Sequence, residues 1–258
     1  MSLLLQILFW VAVVGTVTSG IYCLMVVVAA VRFGLRRRRV DHAGPFMPPV
    51  SVLKPLHGIE PGLERSLETF FEQEYPEFEL LFCARHETDE GLKTARRVGE
   101  RYPGVKARYI ACGEPEYPNP KMFSLGVMAE AAKYPLLVTA DADARVERDF
   151  LRRAVQPMAD PKLELAWCLY LGTADVSNLA TELDAVGKSV EMTSGVLVAD
   201  MLEGTKFALG VSMAVRKDSI TRCSDSISVV EGLCGAFAHA ARNASEIQRS
   251  GAMSFFIK

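Results

Sequence analysis

The chain has 258 residues, enough for one large domain or two small ones, and half of them are hydrophobic. A formal net charge of −2, with acidic and basic residues interspersed outside one arginine block, gives no case for nucleic acid as a partner. The six cysteines (Cys23, Cys83, Cys112, Cys168, Cys223, Cys234) form no C-x-x-C pair, which argues against a zinc framework and suits a reducing compartment. The histidines, His42, His57, His86 and His239, are equally scattered, and none is assigned a ligand role.

From Ser2 to Val31 there is no charged residue, and Arg32 and then Arg36-Arg37-Arg38-Arg39 follow at once. The stretch is longer than a signal-peptide apolar region, lacks an A-x-A cleavage pattern, and suffices for a tilted transmembrane helix. Residues 1–31 are therefore read as a membrane anchor. The arginines after it predict an outside amino terminus and a cytosolic remainder, on the inner membrane if the source is bacterial. They could also attract anionic headgroups. Residues 32–49 are basic and then rich in proline, a linker.

Val50–Pro55 (VSVLKP) reads as a short strand closed by proline and a Gly58 turn. Leu63, Leu67, Phe70 and Phe71 fall at helical spacing, and the helix should end before Tyr75-Pro76. Phe78–Ala84 (FELLFCA) is a second buried strand. Asp89 and Glu90 then open a helix whose apolar face is Leu92, Ala95 and Val98. Val105–Cys112 is a third strand, Pro115–Pro120 a loop and Met122–Lys133 a helix, and in Leu136–Val146 (LLVTADADARV) a fourth, apolar strand ends abruptly in Asp141-Ala142-Asp143. Beyond it, Phe150–Met158 looks helical, Leu163–Leu171 strand-like, Leu179–Leu202 helical and Phe207–Val215 strand-like. The long helix is more apolar than a surface helix. It could pack on the sheet or touch the membrane interface, and its lack of a cationic face favours packing.

Strands alternating with helices over crossovers of roughly 10–20 residues predict a parallel sheet flanked by helices. In such sheets ligands bind beyond the carboxyl ends of the strands, where Lys54, Pro55, Asp89, Asp141 and Asp143 are all placed. If the chain stays extended through Asp143, the two carboxylates of the D-x-D face one side and could hold a hard divalent cation that bridges diphosphate oxygens. A solvated turn is the other reading of such a short motif. No G-x-G-x-x-G follows the first strand and no Walker lysine motif occurs, so dinucleotide and P-loop readings lose their support.

The anchor, VSVLKPLHG, LETFFEQEYP, ELLFCA followed by Asp89, Asn119-Pro120-Lys121, DADARV and GVSMAVRKD together resemble the ceramide glucosyltransferase family and its bacterial relatives, including the hopanoid glycosyltransferases. The resemblance runs from about Val50 to about Ile220. It implies a GT-A-like α/β domain with a mostly parallel sheet, residues 50–220, that transfers a hexose from a UDP-sugar to a lipid hydroxyl with inversion. It also implies site residues. Asp89 matches an aspartate that contacts the uracil and ribose, Lys121 a basic residue near the diphosphate, and Asp141 the second family aspartate. Asp143 completes a metal-binding pair with Asp141, although some ceramide glucosyltransferases keep only the first of the two. With oxygen ligands only, Mg²⁺ or Mn²⁺ is the expected cofactor.

Residues 221–258 form a divergent tail. The family supplies its general base from an acidic pair some 20 residues past the strand matching Phe207–Val215, then adds an R-x-x-R-W-type motif and further membrane helices. After Ile220 the acids are Asp225, Glu231 and Glu246, none adjacent, and the tryptophans are Trp10 and Trp167, so no catalytic base is assigned. That sudden loss is what a truncated or frame-shifted product would give, and a non-catalytic membrane protein that retains only donor binding is the alternative expectation. A processive polysaccharide synthase would need the same missing motifs. Asn243-Ala244-Ser245 matches a glycosylation sequon that a cytosolic location would leave idle.

Overall fold

The computed structural model describes residues 3–41, 45–115, 119–174, 178–204, 209–219 and 256–257. His42, the first residues of the strand expected from Phe207, and most of the tail, with Cys223, Cys234, His239 and Asn243-Ala244-Ser245, lie outside them.

Helix α1 (Leu3–Asp41) contains the apolar stretch and continues through the arginine block. Its segment Leu3–Arg37 is long and apolar enough to cross a membrane. After it come β1 (Val50–Pro55), α2 (Leu63–Phe71), β2 (Phe78–Ala84), α3 (Glu90–Glu100), β3 (Lys106–Ala111), α4 (Pro120–Ala131), β4 (Leu136–Ala140) and α5 (Phe150–Val155), which tightens into a 3₁₀ turn over Gln156–Ala159. The strand expected over Leu163–Leu171 is two short pieces, β5 (Leu165–Trp167) and β6 (Leu169–Tyr170), broken at Cys168. Helix α6 (Leu179–Glu203), β7 (Ser212–Arg216) and β8 (Phe256–Ile257) complete the described elements.

The main sheet has six strands in the order β3-β2-β1-β4-β7-β5. Neighbours among β1 to β4 are parallel, whereas β7 runs antiparallel to both β4 and β5. Strands covered on both faces should be apolar at nearly every position, and β1 and β2 are. Val50, Val52, Leu80, Phe82 and Ala84 point to the face covered by α2, α3 and α5. Leu53, Leu81 and Cys83 point to the opposite face, under α4. Polar side chains in these strands are paired: the Ser51 hydroxyl donates to Glu79 at 2.7 Å, and Glu79 accepts from the Lys133 N–H at 2.7 Å. On the first face Phe71 stacks on Phe82, Phe82 on Tyr109, and Phe70 meets Phe150 edge-on.

Helix α6 does two things along its length. Val196, Leu197 and Val198 bury against Ala29 of α1 and against Trp167, Leu169 and Met213 at the sheet edge. The earlier half leaves Leu179, Leu183, Val186 and Val190 exposed.

Candidate functional site

The acidic motif follows the last residue of β4. The extended conformation stops at Ala140, so the condition of a strand persisting through Asp143 is not met, and the chain turns: the Ala144 N–H donates to the Asp141 carbonyl at 3.2 Å. The two carboxylates are therefore presented by a turn and not by strand alternation. The reason lies in what grips the turn. The Asp141 N–H donates to the Val211 carbonyl at 3.0 Å, just before β7, and the Ser66 hydroxyl of α2 donates to the Asp143 carbonyl at 3.2 Å. Beneath it, Lys54 donates from Nζ to the Asp141 carbonyl at 2.7 Å.

Lys54 is fully buried at the end of β1, with Nζ 3.7 Å from the centre of the Phe70 ring. Burial pulls its pKa down from 10.5 to about 7, against the opposing pull of Asp141, Asp143 and Glu60. The sequence placed Lys54 at the correct edge but gave it no role. The one signal was a lysine inside an otherwise apolar six-residue strand.

Asp141 and Asp143 open into a cleft of about 510 Å³ that is also lined by Lys121, His57, Glu60 and Arg85, a volume within the small-molecule range. Lys121 stands in the first turn of α4, where Asn119 caps the helix by accepting from the Met122 N–H and Pro120 takes the first position. Its ammonium pairs with Asp141 Oδ1 at 2.5 Å and donates to the Gly210 carbonyl at 3.3 Å. Thus Lys121, Asp141 and Asp143, named from the sequence, share one cleft. His57, Glu60 and Arg85 were given no role from the sequence; nothing in their local spacing marks them, because the β1–α2 loop and the end of β2 bring them in.

Asp89 does not line that cleft. It is the N-cap of α3, accepting from the N–H groups of Gly91 at 2.8 Å and Leu92 at 3.4 Å. It also accepts from the Gly58 N–H at 3.1 Å, which ties α3 to the loop that carries His57 to the cleft. Gly58 has a φ of +62°, a conformation that favours glycine. The same junction explains Gly91, because a Cβ there would lie 2.6 Å from the Gly58 carbonyl oxygen. Helix propensity alone would have Gly91→Ala gain about 1 kcal/mol. Here it should lose about 1–3 kcal/mol by overpacking, seen as a lower melting midpoint of the detergent-purified chain.

The donor set fits a hard divalent cation. It offers carboxylate oxygens at an open cleft, and no group of three metal-binding side chains gathers among the described residues. Mg²⁺ and similar ions use such sites, one or two carboxylates with water and phosphate oxygens completing the shell.

The glycosyl transferase family 21 profile matches residues 8–242 of this sequence. The chain belongs to glycosyl transferase family 21. The family match begins inside α1 and extends past Ile220, where the quoted motifs stop. Ceramide glucosyltransferase 1 of Caenorhabditis elegans is 29% identical over 184 residues, covering 69% of this chain and 38% of that protein. The ceramide glucosyltransferase of Komagataella phaffii is 32% identical over 126 residues, covering 47% of this chain and 25% of the relative. The chain thus spans well under half the length of these curated relatives. Among solved structures, a mannosyltransferase from Pyrobaculum calidifontis in complex with GDP-Man and Mn²⁺ superposes with a TM-score of 0.55 at 20% identity, over 92% of this chain and 65% of the other. At that identity the likeness establishes the fold, the GT-A-like arrangement of a mostly parallel sheet between helices.

Proposed function

We propose that this family 21 chain is a membrane-anchored hexosyltransferase domain that moves a hexose from a UDP-sugar to a lipid hydroxyl, inverting the anomeric carbon. The observation that carries the reading is the convergence of Lys121, Asp141 and Asp143 on one cleft at the carboxyl edge of the sheet. The relatives named as ceramide glucosyltransferases support the lipid acceptor and the hexose, and the GDP-Man and Mn²⁺ of the structural neighbour support a nucleotide-sugar and a divalent cation. In this reading residues 1–31 anchor the chain, 32–49 link it, 50–220 form the transferase domain on the cytosolic side, and 221–258 are a divergent tail.

The diphosphate lies against Lys121 and the amino-terminal turn of α4, where a side-chain cation and the positive end of a helix dipole act on the same anion. Asp141 and Asp143 would hold Mg²⁺ or Mn²⁺, and the ion would supply charge neutralisation to a leaving diphosphate. On donor entry Lys121 exchanges its pairing with Asp141 for one with phosphate, so its charge is delivered where negative charge develops as the glycosidic bond breaks. Asp89 serves the nucleoside end, its carboxylate already oriented by three backbone N–H groups. Lys54 acts from below, holding the carbonyl of Asp141, whose carboxylate would serve as a metal ligand.

Isothermal titration of the full chain with UDP in Mn²⁺ should give saturable binding. No heat at millimolar UDP, with the fold intact by circular dichroism, would overturn the donor-site assignment. Transfer of label from a radiolabelled UDP-sugar to membrane lipid by the same chain tests the activity itself.

A further inference from the structure

The first half of α6 exposes Leu179 (77%), Leu183 (62%), Val186 (60%) and Val190 (62%). Their spacing of four, three and four residues puts them in one stripe on one side of the helix. Thr181, Asp184, Ala185 and Lys188 lie roughly half a turn away, at about 100° per residue, and line a second cavity of about 740 Å³. Asp141 and Asp143 line that cavity from its other side. Asp184 and Lys188 pair there at 2.7 Å. One face of α6 therefore belongs to the candidate site, and the opposite face is an uncharged aliphatic strip in the open.

What covers that strip is indicated by where α6 is fastened. Its second half packs on the membrane-crossing helix: the Tyr22 hydroxyl donates to Ser194 at 3.2 Å, Arg36 pairs with Asp200 at 3.0 Å, and Ala29 buries with Val196. The later contact on α1 matches the later contact on α6, so the helices run in the same sense. The stretch before Ser194 then leads from this contact toward the bilayer-crossing part of α1, not away from it. An aliphatic strip continuous with a transmembrane helix has the acyl region of the same bilayer as its neighbour.

We propose that α6 is an interfacial helix whose Leu179, Leu183, Val186 and Val190 face sits in the acyl–headgroup boundary of the bilayer spanned by α1. Insertion is driven by apolar burial without anionic lipid, because Glu182 borders the strip and the charges facing away from it, Asp184 and Glu191 beside Lys188, give no cationic face. The second cavity then opens at the membrane surface, where an amphiphile can present a hydroxyl to the Asp141–Asp143 turn without leaving the bilayer. The inference rests on α1 spanning a membrane and not on the transfer chemistry.

The test uses the full chain in phosphatidylcholine nanodiscs, with and without brominated acyl chains. The W167F variant reports on Trp10 in α1, and V186W, L183W and K188W, each in a W10F/W167F background, report on the two faces of α6. V186W and L183W should lose about half or more of their emission to brominated lipid, as expected for side chains some 5–10 Å into the boundary, while K188W stays near its starting value. Two stripe positions guard against one variant misfolding. If the Trp10 signal is quenched but V186W and L183W are not, the proposal fails. Acrylamide quenching would then mean that water covers the strip, and a doubled particle mass that a second copy does. Equal quenching at all three α6 positions would also overturn a one-faced docking. An unquenched Trp10 signal would remove the span of α1, and the proposal with it.

Discussion

Asp141→Ala should abolish Mn²⁺-dependent UDP binding, weakening it by at least about 100-fold, while binding in EDTA stays unchanged or becomes slightly tighter. The opposite signs follow from the two partners of this carboxylate. In the proposed metal site Asp141 and Asp143 would share the ion, and loss of Asp141 would leave Asp143 to hold it alone. Without metal, Asp141 is a negative charge that neutralises Lys121 at 2.5 Å and repels the incoming diphosphate. Removing it frees that ammonium, a change of about 1 kcal/mol at water-like screening. Paired titrations in Mn²⁺ and in EDTA make the comparison. An equal loss in both would mean that the residue matters only for the shape of the turn.

Replacing Lys54 should separate stability from binding. In the metal-free protein its pKa is near 7 when folded and near 10.5 when unfolded. Below pH 7 both states hold the proton, and the folded state bears the full penalty of a buried charge. Between about 7 and 10.5 the folded state releases a proton that the unfolded chain keeps, so this residue makes stability rise with pH, by up to about 1.4 kcal/mol per pH unit. Lys54→Met removes the slope. The variant should be more stable than the native chain at pH 6, by about 1–3 kcal/mol after loss of one hydrogen bond. The advantage should vanish toward pH 9. Thermal melts in EDTA at the two pH values measure it, and parallel melts of both proteins would rule out a buried titrating ammonium. Nucleotide binding should fall in the same variant, because the carbonyl of Asp141 loses its tether.

How much of this was legible in sequence depended on whether the cause was local. β1 at Val50–Pro55 and β2 at Phe78–Ala84 were read to the residue, since a strand buried on both faces leaves an unbroken apolar run with turn signals at each end. Asp89 as a cap was legible for the same reason. The direction of β7 was not, because apolar patterning says that a strand is buried but not which way it runs. The turn at Asp141 depends on Val211, Ser66 and Lys54, each distant in sequence, and a D-x-D contains no trace of them. Lys54 was visible as a position and invisible as a buried charge. The two faces of α6 blurred into one apolar average, because its two halves bury different sides.

The antiparallel pairing of β4 with β7 also orders events in time. β4 gains its first neighbour, β1, from chain made earlier, but its other edge is completed by Ser212–Arg216, some 75 residues later. At roughly 5–20 residues per second that is a wait of about 4–15 seconds. For that interval the nascent domain carries an open strand edge beside the Asp141–Asp143 turn. The site is thus the last part of the sheet to close, and a chain interrupted before Arg216 would present that edge to its neighbours.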